Sequence, residues 1–365
     1  QVSMRSILLL LLGAACAAQT PPPAPVPPAP ATQEKQDPLL RERAAAAENL
    51  GRFGEAADHY LKLMQLEPSR ADWAIAAGRC LGRSGRFNDA IDLLSQKRNA
   101  FPGIVDVTAM LARTYLLKAE GDQGGLHPEL AYQDAVRLAD EVLHTDPNHE
   151  DSRLILAQAK YGLGDYDGAV AAAEDAVRRH PQRAGAHVLA GRIAYDRFKA
   201  LKQAFERDAA NLDDATRAAR VAELDLQRQR AKQEFARAAE LDPSRTFARI
   251  ALGQLAVLDK EPDQALAHWG EALAVDPQAR VDHTWVEQRL SWEQRRDFYQ
   301  QVAQRYRARS DADPKLAAGI TWFAARALFD GKQWSEAQKN FESVAFANRD
   351  YTNAFYWAGL AAHYQ

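Results

Sequence analysis

Prolines that follow a helix recur along this chain at a fixed beat. Glu67-Pro68, Phe101-Pro102, Asp146-Pro147, His180-Pro181, Asp242-Pro243, Asp276-Pro277 and Asp313-Pro314 lie 34, 45, 34, 62, 34 and 37 residues apart. Three of the six intervals equal 34, and the 45 and 62 read as 34 plus an insertion. Proline cannot continue a helix, so each one closes a unit and starts the next. A period of this size marks a helical solenoid, whose units cannot bury an apolar face alone and must stack on their neighbours. Such an array is a binding surface before it is a catalyst.

The period extends inside each unit. With Pro181 counted as position 32, Ala157 falls at 8, Gly164 at 15, Tyr166 at 17, Ala169 at 20 and Ala176 at 27. The unit ending at Pro68 places Ala44, Gly51, Phe53, Ala56 and Leu63 there, and the one ending at Pro102 places Gly78, Gly85, Phe87, Ala90 and Lys97. The unit ending at Pro277 has Gly253, Lys260, Pro262, Ala265 and Ala272. Small residues at 8, 20 and 27 let two antiparallel helices approach closely. Position 15 sits in the turn between them, where glycine accepts a left-handed backbone. Nothing alternates with period two for long enough to make a sheet, so the fold class is all-α.

This pattern resembles the tetratricopeptide repeat family over most of residues 37–365. The resemblance implies a right-handed superhelical solenoid of antiparallel helix pairs, here with one elongated helical hairpin inserted. The expected units are about 37–70, 71–102, 103–148, 149–182, 183–244 and 245–277. The surplus between Pro181 and Pro243 is 28 residues and keeps a helical apolar spacing on both sides of a turn near Asn211 to Asp214. It predicts a charged antiparallel hairpin over about 196–232, either a functional arm or a tolerated extension. From Gln278 to Pro314 the small-residue positions are lost while Trp285, Trp292, Phe298, Tyr299 and Tyr306 accumulate. This reads as a degenerate helix pair joining two sub-arrays. Ala325, Trp334, Ala337 and Phe341 then resume positions 8, 17, 20 and 24, and Tyr351 to Gln365 gives a first helix without a second. That aromatic last helix is expected either to be followed by more chain or to dock on another subunit.

In this family the first helix of each unit lines a concave groove through positions 2, 5, 9 and 12. The resemblance carries position 9 onto Arg79, Arg113, Gln158, Arg192, Gln254 and Arg326. Position 5 falls on Ile75, Leu154, Val188, Ile250 and Trp322, and position 12 on Leu116, Tyr161, Tyr195, Val257 and Phe329. An apolar, aromatic floor carrying guanidinium forks suits an extended peptide or an acidic segment. In the competing reading the arginines pair with acids on adjacent helices, such as Asp72 or Asp106. The lysine-and-asparagine clamp with which some relatives hold a C-terminal carboxylate is not reproduced.

The first residues serve another purpose. Met4, Arg5, the apolar run Ile7 to Leu12 and the small residues Ala14 to Ala18 have the order of a secretory signal peptide over 1–18. Ala15-Cys16-Ala17 fits ordinary signal peptidase and a soluble product, while Cys16 is the candidate lipidation site of a bacterial lipoprotein. Both routes lead to the periplasm, the second with an outer-membrane anchor. The apolar run is too short for a transmembrane helix. Residues 19–36 form a linker with seven prolines between Thr20 and Thr32, an extended spacer.

The remaining chemistry is sparse. The net charge of −3 predicts no attraction to nucleic acid or anionic lipid. With Cys16 removed or lipidated, Cys80 is alone, no internal disulfide can form, and the thiol reads as a buried apolar residue. There is no nucleophile elbow, no phosphate-binding loop and no Cys-x-x-Cys pair. His149-Glu150 lacks the second histidine of a zinc-protease helix, and His144, His149 and His180 read as solvated turn residues. The chain is therefore expected not to be an enzyme, and to hold no cofactor or metal. Its expected role is an envelope scaffold for other proteins or peptides. The alternative is a glycan- or polymer-binding module of an exopolysaccharide export or envelope assembly system.

Overall fold

A computed structural model describes residues 39–121 and 127–365 of the chain. The signal-peptide, linker and Cys16 expectations fall outside these residues. The described residues form seventeen α-helices and no strand. They alternate as first and second helices of a stack: α1 (Leu40–Asn49) with α2 (Phe53–Leu66), α3 (Ala71–Arg83) with α4 (Phe87–Ala100), and α5 (Val105–Gly121) with α6 (Pro128–Thr145). Next come α7 (Glu150–Gly162) with α8 (Tyr166–Arg179), α9 (Ala184–Asp208) with α10 (Asp214–Leu241), and α11 (Thr246–Leu258) with α12 (Pro262–Val275). The chain ends in α13 (His283–Arg289), α14 (Trp292–Arg307), α15 (Pro314–Asp330), α16 (Trp334–Ala347) and α17 (Asn353–His363).

Two turns, each repeated, build this array. Within a pair, the amide three residues past the helix returns to a carbonyl five residues back: Arg52 to Ala47, Arg86 to Leu81, Asp165 to Lys160, Glu261 to Ala256 and Gln333 to Leu328, all at 2.9–3.0 Å. Such a closure needs a left-handed residue just before the donor. Gly51, Gly85 and Gly164 supply it, and Lys260 (φ 61°) and Lys332 (φ 58°) take the same conformation without being glycine. Between pairs, the residue before proline accepts from the amide three residues on, as in Arg70 to Glu67 and Arg245 to Asp242. The turn at Asn348 has no proline. There the Asn348 side chain accepts the Asp350 amide at 3.0 Å, as Asp146, Asp242 and Asp276 do at their own turns.

Packing inside a pair is a lock between positions 8 and 24. A Cβ on Gly78 would lie 2.7 Å from Leu94, one on Gly191 2.8 Å from Phe235, and one on Gly253 inside the Trp269 indole. Gly191 counts to position 8 from the front of its unit, and Phe235 to position 24 from Pro243. Register is thus kept at both ends, and the 28 extra residues lie at the far end of the hairpin. The 25 residues of α9 span about 37 Å, against about 20 Å for a 13-residue repeat helix. Salt bridges brace the hairpin on both sides: Arg230 to Glu174 of α8 at 2.5 Å, and Arg228 to Asp259 beyond α11 at 2.7 Å.

The degenerate stretch keeps a continuous core. Because α13 is only seven residues long, α14 packs directly on α12 as well as on α15. One buried cluster runs through it from Ala256 to Ala324, with Trp269, Val286, Tyr299 and Tyr306 at its centre.

Candidate functional site: the inner face of the first helices

First helices touch their successors along the stack, α3 on α5, α5 on α7 and α7 on α9, which brings their outward positions onto one strip. A hollow of about 470 Å³ is lined by Trp73, Arg79, Met110, Arg113 and His149. The next, of about 380 Å³, shares Arg113 and adds Gln158, Val188 and Arg192. A third, of about 510 Å³, shares Gln158 and Arg192 and adds Tyr132 and Tyr161. Five candidate residues, Arg79, Arg113, Gln158, Tyr161 and Arg192, therefore line linked hollows. Tyr195 reaches the next first helix, donating to Gln254 at 3.4 Å. Ile250 is half-buried against the core of α12–α15, and its carbonyl accepts from Trp269. Trp322 and Arg326 sit apart, in an aromatic cluster of α15–α17.

The arginines of the first strip are not a free ladder. Arg79 grips Glu48 with both edges of its fork, at 2.7 and 3.0 Å, and the Tyr60 hydroxyl donates to the same carboxylate at 3.0 Å. Arg79 above all, with help from Tyr60, holds the Glu48 carboxyl below its ordinary range in spite of burial. Burial, reinforced by Glu48, pushes the Tyr60 hydroxyl up to about 12. Arg113 lies 3.5 Å from Asp151, which Arg183 also holds. Burial raises the Asp151 pKa, but the two guanidinium groups outweigh it and the net shift is downward. Gln158 donates to Glu120. The Tyr161 hydroxyl donates to Asp196 at 2.7 Å, and burial plus that carboxylate raise its pKa. Arg192 lies over the Tyr161 ring at 5.8 Å, with Asp196 at 4.0 Å.

The reading in which the groove arginines pair internally is thus the one found, but with other acids than Asp72 and Asp106. Asp72 is held by Arg70 at 2.9 Å, and Asp106 faces His149 at 3.1 Å. Glu48, Glu120, Asp151 and Asp196 were not singled out from the sequence. All four lie roughly one repeat from a partner, Glu48 31 residues before Arg79, Arg113 and Asp151 38 apart, Glu120 and Gln158 38 apart, Tyr161 and Asp196 35 apart. That spacing was the available signal.

Two smaller expectations also change. His149 and His180 are not solvated. Their side chains are 13% and 14% exposed, and each faces an acid, Asp106 and Glu150. The His149 ring also accepts the Ser152 amide, capping α7. Among the described residues no group of three His, Cys, Asp or Glu is placed to hold a metal. Cys80 is fully buried, and burial pushes its thiol up to about 11. No helix among the described residues is long and apolar enough to cross a membrane.

The family model for the tetratricopeptide repeat matches residues 130–193, which spans α6 to the middle of α9. The same turn closure and the same 8–24 lock recur in the pairs on either side of that segment. Residues 130–193 are thus a tetratricopeptide-repeat segment, set in a continuous stack of helix pairs. Among solved structures, it is similar to a crystal structure of MamA at 17% identity, over 54% of this chain and 92% of that one, with a TM-score of 0.37. The MamA fragment "41-end" from Desulfovibrio magneticus RS-1 gives 20% identity, 56% and 94% coverage and a TM-score of 0.38. The APC/C hetero-tetramer Cut9–Hcn1 gives 15% identity, 90% of this chain and 56% of that one, and a TM-score of 0.45. No curated protein sequence matches the chain.

Proposed function

We propose that this protein is a non-enzymatic tetratricopeptide-repeat scaffold of the bacterial cell envelope, holding an extended segment of a partner protein along its first helices. The observation that carries the reading is the chain of hollows sharing Arg113, Gln158 and Arg192. It offers apolar floor and fixed polar groups at successive repeats, the layout that receives a peptide rather than a small molecule. The order of residues 4–18 supports export, and the proline run supports a spacer before the array. Cys16 as a lipid anchor belongs to the same reading.

A photo-crosslinking residue tests it. Placed at Ala109 in the first hollow, it is expected to give discrete protein adducts in envelope extracts, while the same group at exposed Leu50 gives none. Equal labelling at both positions would defeat the groove assignment.

One observation favours a second reading, a glycan-binding module. A hollow of about 450 Å³ between α12 and α14 has Leu266, Leu290 and Phe298 as its floor and Gln294, Gln301, Asp297 and Arg305 around it. An aromatic floor with planar polar groups suits a sugar ring. Retardation in gels containing polysaccharide, abolished by Phe298→Ala, would support it, and unretarded migration would remove it.

A further inference from the structure

Arg326 stands in a different environment from the other position-9 arginines. Its guanidinium lies over the Trp357 ring at 4.0 Å from the centroid. Among the described residues no carboxylate is within ion-pair distance of it. It is half-buried on α15, with Trp322 four residues before it and Phe329 three residues after it on the same side of the helix. Trp322 packs on Phe341 and Tyr351, and Phe329 on Trp334 and Trp357.

We propose that Arg326 is an anion-reading subsite on α15, apart from the linked hollows, taking one carboxylate of a partner segment whose neighbouring residues are apolar. The inference rests on the groove reading above and adds the chemistry of the partner. Three features lead to it. A guanidinium lying over an indole is weakly hydrated and still presents N–H groups away from the ring. The aromatic surroundings lower the local dielectric, so a charge-assisted bond made there is stronger than one on open surface. One fork matches one carboxylate in both charge and geometry, whereas a phosphate dianion would be left half-neutralised. At Arg79, Arg113 and Arg192 the corresponding demand is already met by Glu48, Asp151 and Asp196.

The test uses the full chain and a display library of random 12-residue peptides. Selection on the unaltered protein is expected to enrich Asp or Glu flanked by apolar residues, and selection on R326Q to lose that enrichment. A selected peptide and its Asn or Gln analogue are then compared by fluorescence anisotropy. The acid form should bind about tenfold more tightly to the unaltered chain, equally to R326Q, and with an intermediate preference to R326K, which keeps the charge but not the fork. Far-UV circular dichroism and melting of both variants separate loss of recognition from loss of fold. Peptides selected without acid enrichment, or acid enrichment that survives in R326Q, would overturn this subsite and leave the scaffold reading standing. Selection of no peptide at all would overturn both. Displacement of the peptide by inorganic phosphate well below the concentration of acetate required would overturn the choice of carboxylate.

Discussion

Along α3, α5 and α9 the position-9 arginines sit against Glu48, Asp151 and Asp196, whereas on α15 the equivalent guanidinium sits against the face of Trp357. The same residue type at the same repeat position is an internal staple in one region and an uncompensated cation in the other. What decides is the side chain that lies beside it. The acids come from non-equivalent places, Glu48 from the end of α1 in the preceding repeat, Asp151 from the start of α7 in the following one and Asp196 from α9 itself, four residues after Arg192. The α15–α17 region fills the corresponding space with aromatic rings. A repeat position therefore fixes where a side chain points, while its partner fixes what it does.

The largest contrast expected between the two regions concerns packing. Position 8 meets a flexible leucine at Gly78 and a rigid indole at Gly253, whose Trp269 ring is fully buried and bonded to the Ile250 carbonyl. An alanine methyl at Gly253 must displace the ring, so G253A should cost about 2–3 kcal/mol. At Gly78 the leucine can turn aside, and the helix-propensity gain of Ala over Gly, about 1 kcal/mol, offsets much of the strain. Urea unfolding of the two variants measures the difference. Equal losses would show that the indole yields as readily as the leucine.

The next contrast concerns charge. E48Q removes the carboxylate that Arg79 grips, at an expected cost of about 1–2 kcal/mol, since both partners are partly buried. It should also free the Arg79 fork and so give the first hollow a preference for acidic peptides that the unaltered hollow lacks. Stability lost without any new preference would mean that the Arg79 fork is not open to the groove.

That pair also predicts an acid limb. The folded Glu48 carboxyl titrates below its ordinary 4.5, so its contribution is fully present above that pH. The contribution fades as pH falls through the lower folded value. The stability gap between the unaltered chain and E48Q should therefore close below pH 4.5. The gap between the unaltered chain and R326Q should have no such limb, because no carboxylate among the described residues faces Arg326. Tyr60 adds an alkaline limb of opposite sense. Its folded value is raised from 10 to about 12, so its contribution is present below pH 10 and lost across that interval. Melting curves in a pH series check both limbs.

Much of the fold was legible in the sequence because it rests on local rules. Proline stops, small residues at positions 8 and 20, and the apolar spacing of α9 and α10 each act within one unit or between neighbours, and they gave the all-α solenoid with its long hairpin. Charge pairing was not legible in the same way. Arg79 and Glu48 are 31 residues apart, and any of several acids would have satisfied the same arginine on paper. His149 and His180 depart from the expected exposure for a related reason, while His144 is exposed. His149 lies in a turn, where exposure is the ordinary expectation, but the turn is pressed against the preceding repeat and the ring is used as a cap. The groove residues from Arg79 to Arg192 share linked hollows, yet which of them meets a partner depends on charges that the period does not encode.

The smallest contrast expected lies in the turns. Gly51, Gly85 and Gly164 close the earlier pairs with a left-handed residue, and Lys260 and Lys332 do so in the later ones. The closing bond is the same in all five, so the conformation is imposed by the hairpin and not by the residue. For lysine that conformation places Cβ against the neighbouring carbonyl, at a cost on the order of 1 kcal/mol, which glycine avoids. Glycine also has a more flexible unfolded chain, which returns part of the gain. K260G and K332G should each therefore stabilise the chain by only about 0.5 kcal/mol, while G85A should destabilise it by about 1 kcal/mol. Thermal melting of the three variants and of the K260G/K332G pair measures this, with the two gains adding because the turns lie in separate repeats. A loss of stability in either lysine variant would show that the side chain makes a contact outweighing its backbone strain, and the turn would then be specified by that contact and not by the closing bond.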